Sequence, residues 1–319
     1  MTGVIPAAIF ANCATPAAAF TAYVTNEKGD SVTVIDTDKM ETTKTFPVGK
    51  RPRGIVVSKD GAEIFVCLGD DDAVAVIDTK TAKRTAKIAS PDPEQLAQSP
   101  DGTRLYVANE DDNRVTIIDA QTHKTTTQIP VGVEPEGVAV SPDGKTVVST
   151  SETTNMAHFI DPDAKKTVAN VLVAARPRYA QFTPDGRELW VSSEVGGVVS
   201  VIDPDKHAVT GKITFDVPGL VNEHVQPVGI RFTKDGKTAF VALGPANRVA
   251  VVDVQSKKVQ KLLLVGQRVW QLALTPDDKY LLAVNGVSND VSFIDVAALK
   301  VVKSVQVGQL PWGVAMARQ

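Results

Sequence analysis

From about residue 20 onward the apolar positions come in short runs set off by turn residues. Gly137-Val138-Ala139-Val140-Ser141 is followed by Pro142-Asp143-Gly144, and then by Thr146-Val147-Val148-Ser149. Short β-branched runs separated by Asp-Gly read as strands joined in hairpins. No 3.6-residue periodicity runs through them, which excludes a helical solenoid. Some runs are continuous, such as Val249-Ala250-Val251-Val252, as expected where a strand packs on both faces.

The pattern repeats, and the repeat decides the fold. A Val-Ile-Asp phrase and its variants end at Asp36, Asp78, Asp119, Asp161, Asp203, Asp253 and Asp295, with gaps of 42, 41, 42, 42, 50 and 42. A Ser/Thr-Pro/Lys-Asp-Gly turn places its Asp at 60, 101, 143, 185, 235 and 277, with the same single lengthening. A third landmark, Pro-x-Gly, stands at Pro52-Arg53-Gly54, Pro135-Glu136-Gly137, Pro227-Val228-Gly229 and Pro311-Trp312-Gly313, with degenerate copies near Leu96, Tyr179 and Gln271. Four short strands in about 42 residues make one propeller blade. The chain enters on a second-strand phrase, Tyr23-Val24-Thr25-Asn26, and leaves on a first-strand phrase, Trp312-Gly313-Val314-Ala315-Met316. The expected fold is therefore all-β: a seven-bladed β-propeller of four-stranded antiparallel blades. Its ring is closed by a C-terminal first strand joined to three N-terminal strands, which leaves no open edge.

Residues 1–19 differ from the rest. They carry no charge and end in Ala17-Ala18-Ala19, which predicts a signal peptide lacking a basic start. A leading strand or loose tail is the alternative. Cys13 suggests a lipidation site, but Asn12 stands where such a site wants a small residue. On this reading residues 20–319 form a single domain, and its remaining thiol, Cys67, sits in a strand as a small hydrophobe. The balance of 34 basic and 37 acidic residues argues against a nucleic-acid partner, and no apolar run is long enough to span a bilayer.

Tyr23-Val24-Thr25-Asn26 and the recurring Val-Ile-Asp and Ser-Pro-Asp-Gly phrases resemble the YVTN-type β-propeller repeat family over roughly residues 20–318. The overall layout is similar to propellers that accompany pyrroloquinoline quinone (PQQ)-dependent alcohol catabolism in bacteria. That resemblance implies a periplasmic, monomeric protein, with PQQ, a small anion, or a periplasmic dehydrogenase or cytochrome as its partner. The wider superfamily also holds haem-binding and cyclase/lactonase propellers, so the fold does not assign the function.

Candidate chemistry falls on one face. The Asp-Gly turns at Asp60, Asp101, Asp143, Asp185 and Asp235 are regular and read as structural. The loops leading into each first strand are irregular, and irregularity among equal repeats marks added function. They carry Arg51, Arg53, Glu136, Arg176, Arg178, Arg268, Trp270 and Trp312, while the adjoining loops carry acids such as Glu27, Glu110, Glu152 and Glu194. Two Arg-Pro-Arg segments, three blades apart, suggest a clamp for one anionic ligand, since arginine forks match carboxylates and phosphates. A solvated ring of mutually screened charges is the plainer reading. The lengthening near Phe215–His224 puts His224 on the same face, the one histidine expected there. No His/Asp/Glu spacing makes a metal site and no nucleophile motif is present. The leading expectation is a non-enzymatic binding propeller. The alternatives are a cyclase/lactonase-type enzyme using His224 with a neighbouring Glu or Arg, and a tetrapyrrole binder with His224 as axial ligand.

Overall fold

The computed structural model describes residues 20–318. The segment read as a signal peptide, with Cys13, lies outside the described residues. Seven four-stranded antiparallel sheets account for the strands. Each innermost strand touches those of the two flanking blades, and this chain of contacts returns to its start, so the sheets form a closed propeller. Six blades are continuous in sequence: 52–89, 93–130, 135–172, 177–214, 230–264 and 269–306. We number these blades 2 to 7. In blade 1 the inner strand is Pro311–Arg318, which pairs with Phe20–Asn26 from the other end of the chain. This is the one-plus-three closure that the sequence predicts. Among the described residues no helix is long and apolar enough to cross a membrane.

Seven apolar clusters fill the seven blade–blade interfaces. Phe65, Phe159, Phe240 and Phe293 are fully buried in them, and truncating any one would cost about 3–5 kcal/mol. Cys67 is buried in the cluster between blades 2 and 3, and burial pushes its thiol well above the usual range.

The YVTN phrase has a physical role. Asn26 ends its strand fully buried, donates to the hydroxyls of Ser31 and Thr33, and accepts from the Gly308 amide at 3.0 Å. One side chain thus ties blade 1 to the end of blade 7. The repeated aspartates also act as turn residues. Asp36 Oδ1 accepts from the amides of Asp38 and Lys39, and Asp60 Oδ1 accepts from the Ser58 hydroxyl and the Ala62 amide.

The inner strands crowd the central axis, and side-chain size alternates around it except where Gly313 and Gly54 stand in neighbouring blades. Gly54, Gly137, Gly229 and Gly313 lie where a Cβ would come within 3 Å of the next blade's backbone. Gln95, Tyr179 and Gln271 occupy the same register in the blades between. What reads in the sequence as degenerate Pro-x-Gly copies are the large members of a small–large alternation.

Candidate functional site

A recurring clasp builds the mouth of the channel. In every blade but the sixth the residue before the inner strand adopts a left-handed conformation, with φ 50° at Arg51, 57° at Glu134, 56° at Arg176 and 56° at Arg268. Its amide donates to an Asp or Asn of the preceding blade: Arg51 to Asp30, Glu134 to Asn113, Arg176 to Asn155 and Arg268 to Asn247, at 2.8–3.1 Å. Its carbonyl accepts from the residue just after the second strand, as Glu110 N donates to Asp92 O and Glu194 N to Arg176 O. The chain then turns inward. Two residues after each clasped position, Arg53, Glu94, Glu136, Arg178, Val228, Trp270 and Trp312 form one layer around the axis.

Two charge clusters occupy this layer. In the first, Glu94 is fully buried and joins Arg51 to Arg53, with short contacts to both. Arg51 also reaches Asp92 at 2.8 Å and Glu110 at 3.9 Å, and Arg53 reaches Glu27 at 3.2 Å. In the second, Arg178 is buried and holds Glu136 at 2.8 Å and Glu152 by a short contact. Arg176 bonds Glu152 at 2.8 Å, and Arg268 bonds Glu194 at 2.6 Å and Gln226 at 2.8 Å. The tryptophans complete the wall. Their rings lie 6.5 Å apart, Arg268 sits 4.2 Å from the Trp270 ring centre, and Arg53 sits 5.8 Å from that of Trp312.

Burial and pairing compete in setting these charges. Burial pushes the Glu94 carboxyl up, but Arg53 and Arg51 outweigh it and hold Glu94 down at about 2. Burial alone would lower Arg53, yet Glu94, Glu136 and Glu27 raise it. Glu110 moves the other way: burial, then repulsion from Glu94, push it up to about 7. Burial also lifts Glu136 well above the usual carboxylate range, with Arg178 only partly opposing it.

The arginines of both Arg-Pro-Arg segments are therefore paired by the protein's own carboxylates. Five guanidinia, on Arg51, Arg53, Arg176, Arg178 and Arg268, meet at least as many carboxylates. Each of these guanidinia already faces a carboxylate, although Arg51 Nε, Arg53 Nε and Arg178 Nε make no hydrogen bond among the described residues. Among the described residues, the one trio of acids close enough to suggest a cation site, Asp92, Glu94 and Glu110, already surrounds the Arg51 guanidinium.

His224 stands apart. It ends the 3-10 turn Asn222–His224 and is exposed, and among the described residues no side-chain hydrogen bond or ion pair joins it to the mouth. The lengthened segment reaches the site through Gln226 instead. The other histidines have structural partners. His158 is buried, accepts from the Gly132 amide and bonds Asn170, while His123 pairs with Glu63 and His207 packs on Phe159.

Sequence reasoning missed Glu94, the central acid of the first cluster. Its signal was available: Pro93-Glu94 stands 42 residues before Pro135-Glu136 and 41 after Pro52-Arg53. The larger hollows of the turn face, about 690 Å³ around Asp185 and Lys234 and about 620 Å³ around Asp60 and Asp101, are one inter-blade groove recurring at two places.

A model of the choice-of-anchor I domain matches residues 111–286, more than half of the chain. The chain belongs to the choice-of-anchor I family. The match takes in the second charge cluster from Glu136 to Arg268, and not the first, which is built on Arg51, Arg53 and Glu94. No curated protein matches. Among solved structures, this choice-of-anchor I propeller is similar to Kuenenia stuttgartiensis hydrazine synthase, with TM-score 0.79 and 24% identity over 86% of this chain and 92% of that one. It is also similar to a functionally unknown protein from Desulfotomaculum acetoxidans DSM 771, with TM-score 0.80 and 17% identity over 93% and 99%. At these identities the likeness speaks for the fold alone.

Proposed function

We propose that the chain is a non-catalytic binding propeller that docks a protein partner on its mouth face. The observation that carries this reading is the division of that face into two sectors. Exposed Asp70, Asp72, Asp111 and Asp112 crown blades 2 and 3. Exposed Val133, Val195, Leu220, Val221 and Val287 crown the loops of the remaining arc, with Val195 and Val221 about 60% exposed. An apolar sector beside a charged one suits a partner with a basic patch next to an apolar one. The internally paired arginines favour a protein over a small anion, because an anion would have to displace Glu94 or Glu152 from a buried pair. The resemblance to PQQ-associated propellers makes a periplasmic dehydrogenase or cytochrome the first partner to try.

The test uses a basic c-type cytochrome as probe, with binding followed by surface plasmon resonance at low and high salt. Saturable, salt-sensitive binding should weaken at least tenfold in Asp70→Lys/Asp111→Lys/Asp112→Lys, and also in Val195→Ser/Val221→Ser. Binding unchanged in either variant would defeat the two-sector surface. The enzyme reading built on His224 needs an acid or base partner that the geometry does not bring to it, and is not favoured.

A further inference from the structure

Beyond the arginine–glutamate layer the channel widens into a cavity of about 260 Å³. The inner strands run from the mouth toward the Asp-Gly turns. The cavity lining reaches well along them, to Val56, Gln98, Val140 and Gln181, so it lies on the turn side of the charged layer. Its chemistry differs from that of the mouth. Arg231 is the one charged residue that lines it, and among the described residues no ion pair joins Arg231 to a carboxylate. Arg231 Nη1 donates to the Tyr179 hydroxyl and, at 2.7 Å, to the Ile230 carbonyl. Its guanidinium also lies 5.1 Å from the Tyr179 ring centre, and among the described residues the rest of its donor fork has no hydrogen-bond partner.

Three further residues of the lining hold polar groups that are buried and unpartnered. Gln95, Gln271 and Trp312 are each more than nine-tenths buried. Yet among the described residues Gln95 Nε2, Trp312 Nε1 and both Nε2 and Oε1 of Gln271 have no hydrogen-bond partner. Buried donors are nearly always satisfied in folded proteins, so several left open around one cavity point to an occupant that supplies acceptors. The uncompensated guanidinium adds one positive charge. The rest of the wall mixes Gln98 and Gln181 with the half-buried Val56, Ala97 and Val140, so a small apolar surface stands within a mostly polar lining.

We propose that this cavity binds a short monocarboxylate. Its carboxylate would accept from Arg231 and the neighbouring amide and indole donors, and its short hydrocarbon part would lie against Val56, Ala97 and Val140. The volume is below the ~300–1,000 Å³ of sites for drug-sized ligands, which fits a small acid. A single unpaired arginine matches a single negative charge better than a multiply charged oxyanion.

Isothermal titration calorimetry of the full chain with sodium butyrate tests this. The wild type should bind saturably at one site. Arg231→Gln should bind at least tenfold more weakly, and so should the neutral isostere butyramide against the wild type. Melting temperatures confirm that each variant is folded. Should Arg231→Gln fail to fold, Gln271→Leu serves in its place, with the same expected loss. The proposal is overturned if butyrate gives no saturable binding, as for a cavity that holds only water. It is also overturned if the variants bind butyrate like the wild type, or if inorganic phosphate binds more tightly than butyrate.

Discussion

Gly54 lies against Gln95 of the next blade so closely that a Cβ on it would come within 2.8 Å of the Gln95 Cα. That contact is backbone, so no side chain can swing aside. Gly54→Ala should therefore destabilise by about 1–3 kcal/mol through overpacking. Gly211→Ala is the control. Its nearest neighbour would be Val201 Cβ at 3.9 Å, and the change should be neutral or slightly stabilising. Denaturant unfolding of the two variants reads the difference.

Ring closure gives a second prediction. The strand Pro311–Arg318 supplies the buried Trp312 and Val314 and covers the edge of Phe20–Asn26. A chain cut before residue 310 should melt many degrees lower or become insoluble. A truncated chain that melts like the full one would contradict the closure.

Removing the acid shared by Arg51 and Arg53 should be costly. Glu94→Gln leaves two largely buried guanidinia short of a counter-charge, and such losses run to about 3–5 kcal/mol. Asp163→Asn, which breaks the exposed pair with Arg104, should cost about 0–1 kcal/mol. Equal effects would mean that the layer contributes no more than an ordinary surface pair.

The two perturbed acids of the first cluster should respond to pH with opposite signs. Glu94 is held below its ordinary value of 4.5, at about 2. Its contribution is present above pH 4.5 and is lost as pH falls toward 2. Glu110 is raised from 4.5 to about 7, so its contribution is present below pH 4.5 and is lost as pH rises through 7. Relative to the wild type, Glu110→Gln should therefore gain stability between pH 5 and pH 8. Unfolding curves at those two pH values check this, and a constant difference would rule it out.

The repeat made the fold readable because each blade writes the same turn and strand chemistry at the same spacing. Even the closure was legible, since Tyr23-Val24-Thr25-Asn26 and Trp312-Gly313-Val314 are complementary parts of one unit. The mouth was only half legible. Arg51, Arg53, Arg176 and Arg178 stood out as charges in irregular loops, but whether they stood free depended on the ring bringing acids from neighbouring blades onto them. Glu94 was hidden because Gln95 replaces the glycine that marks the motif elsewhere. Gln95 is large because Gly54 beside it is small, and that relation exists only around the axis. His224 was misleading for the same reason, since its sequence position lies near the mouth while its side chain faces solvent.

The pairing of Phe20–Asn26 with Pro311–Arg318 also bears on how the molecule can be assembled. Six blades can complete themselves from local hairpins as they are synthesised. Blade 1 must wait until the chain has been made through residue 318, so every shorter nascent chain is an open arc in which the strand Phe20–Asn26 is uncovered. That strand can also accept the matching segment of another molecule. Crowded or slow synthesis should therefore favour head-to-tail exchange between chains, and rapid capture of the final strand is what keeps the ring a single molecule.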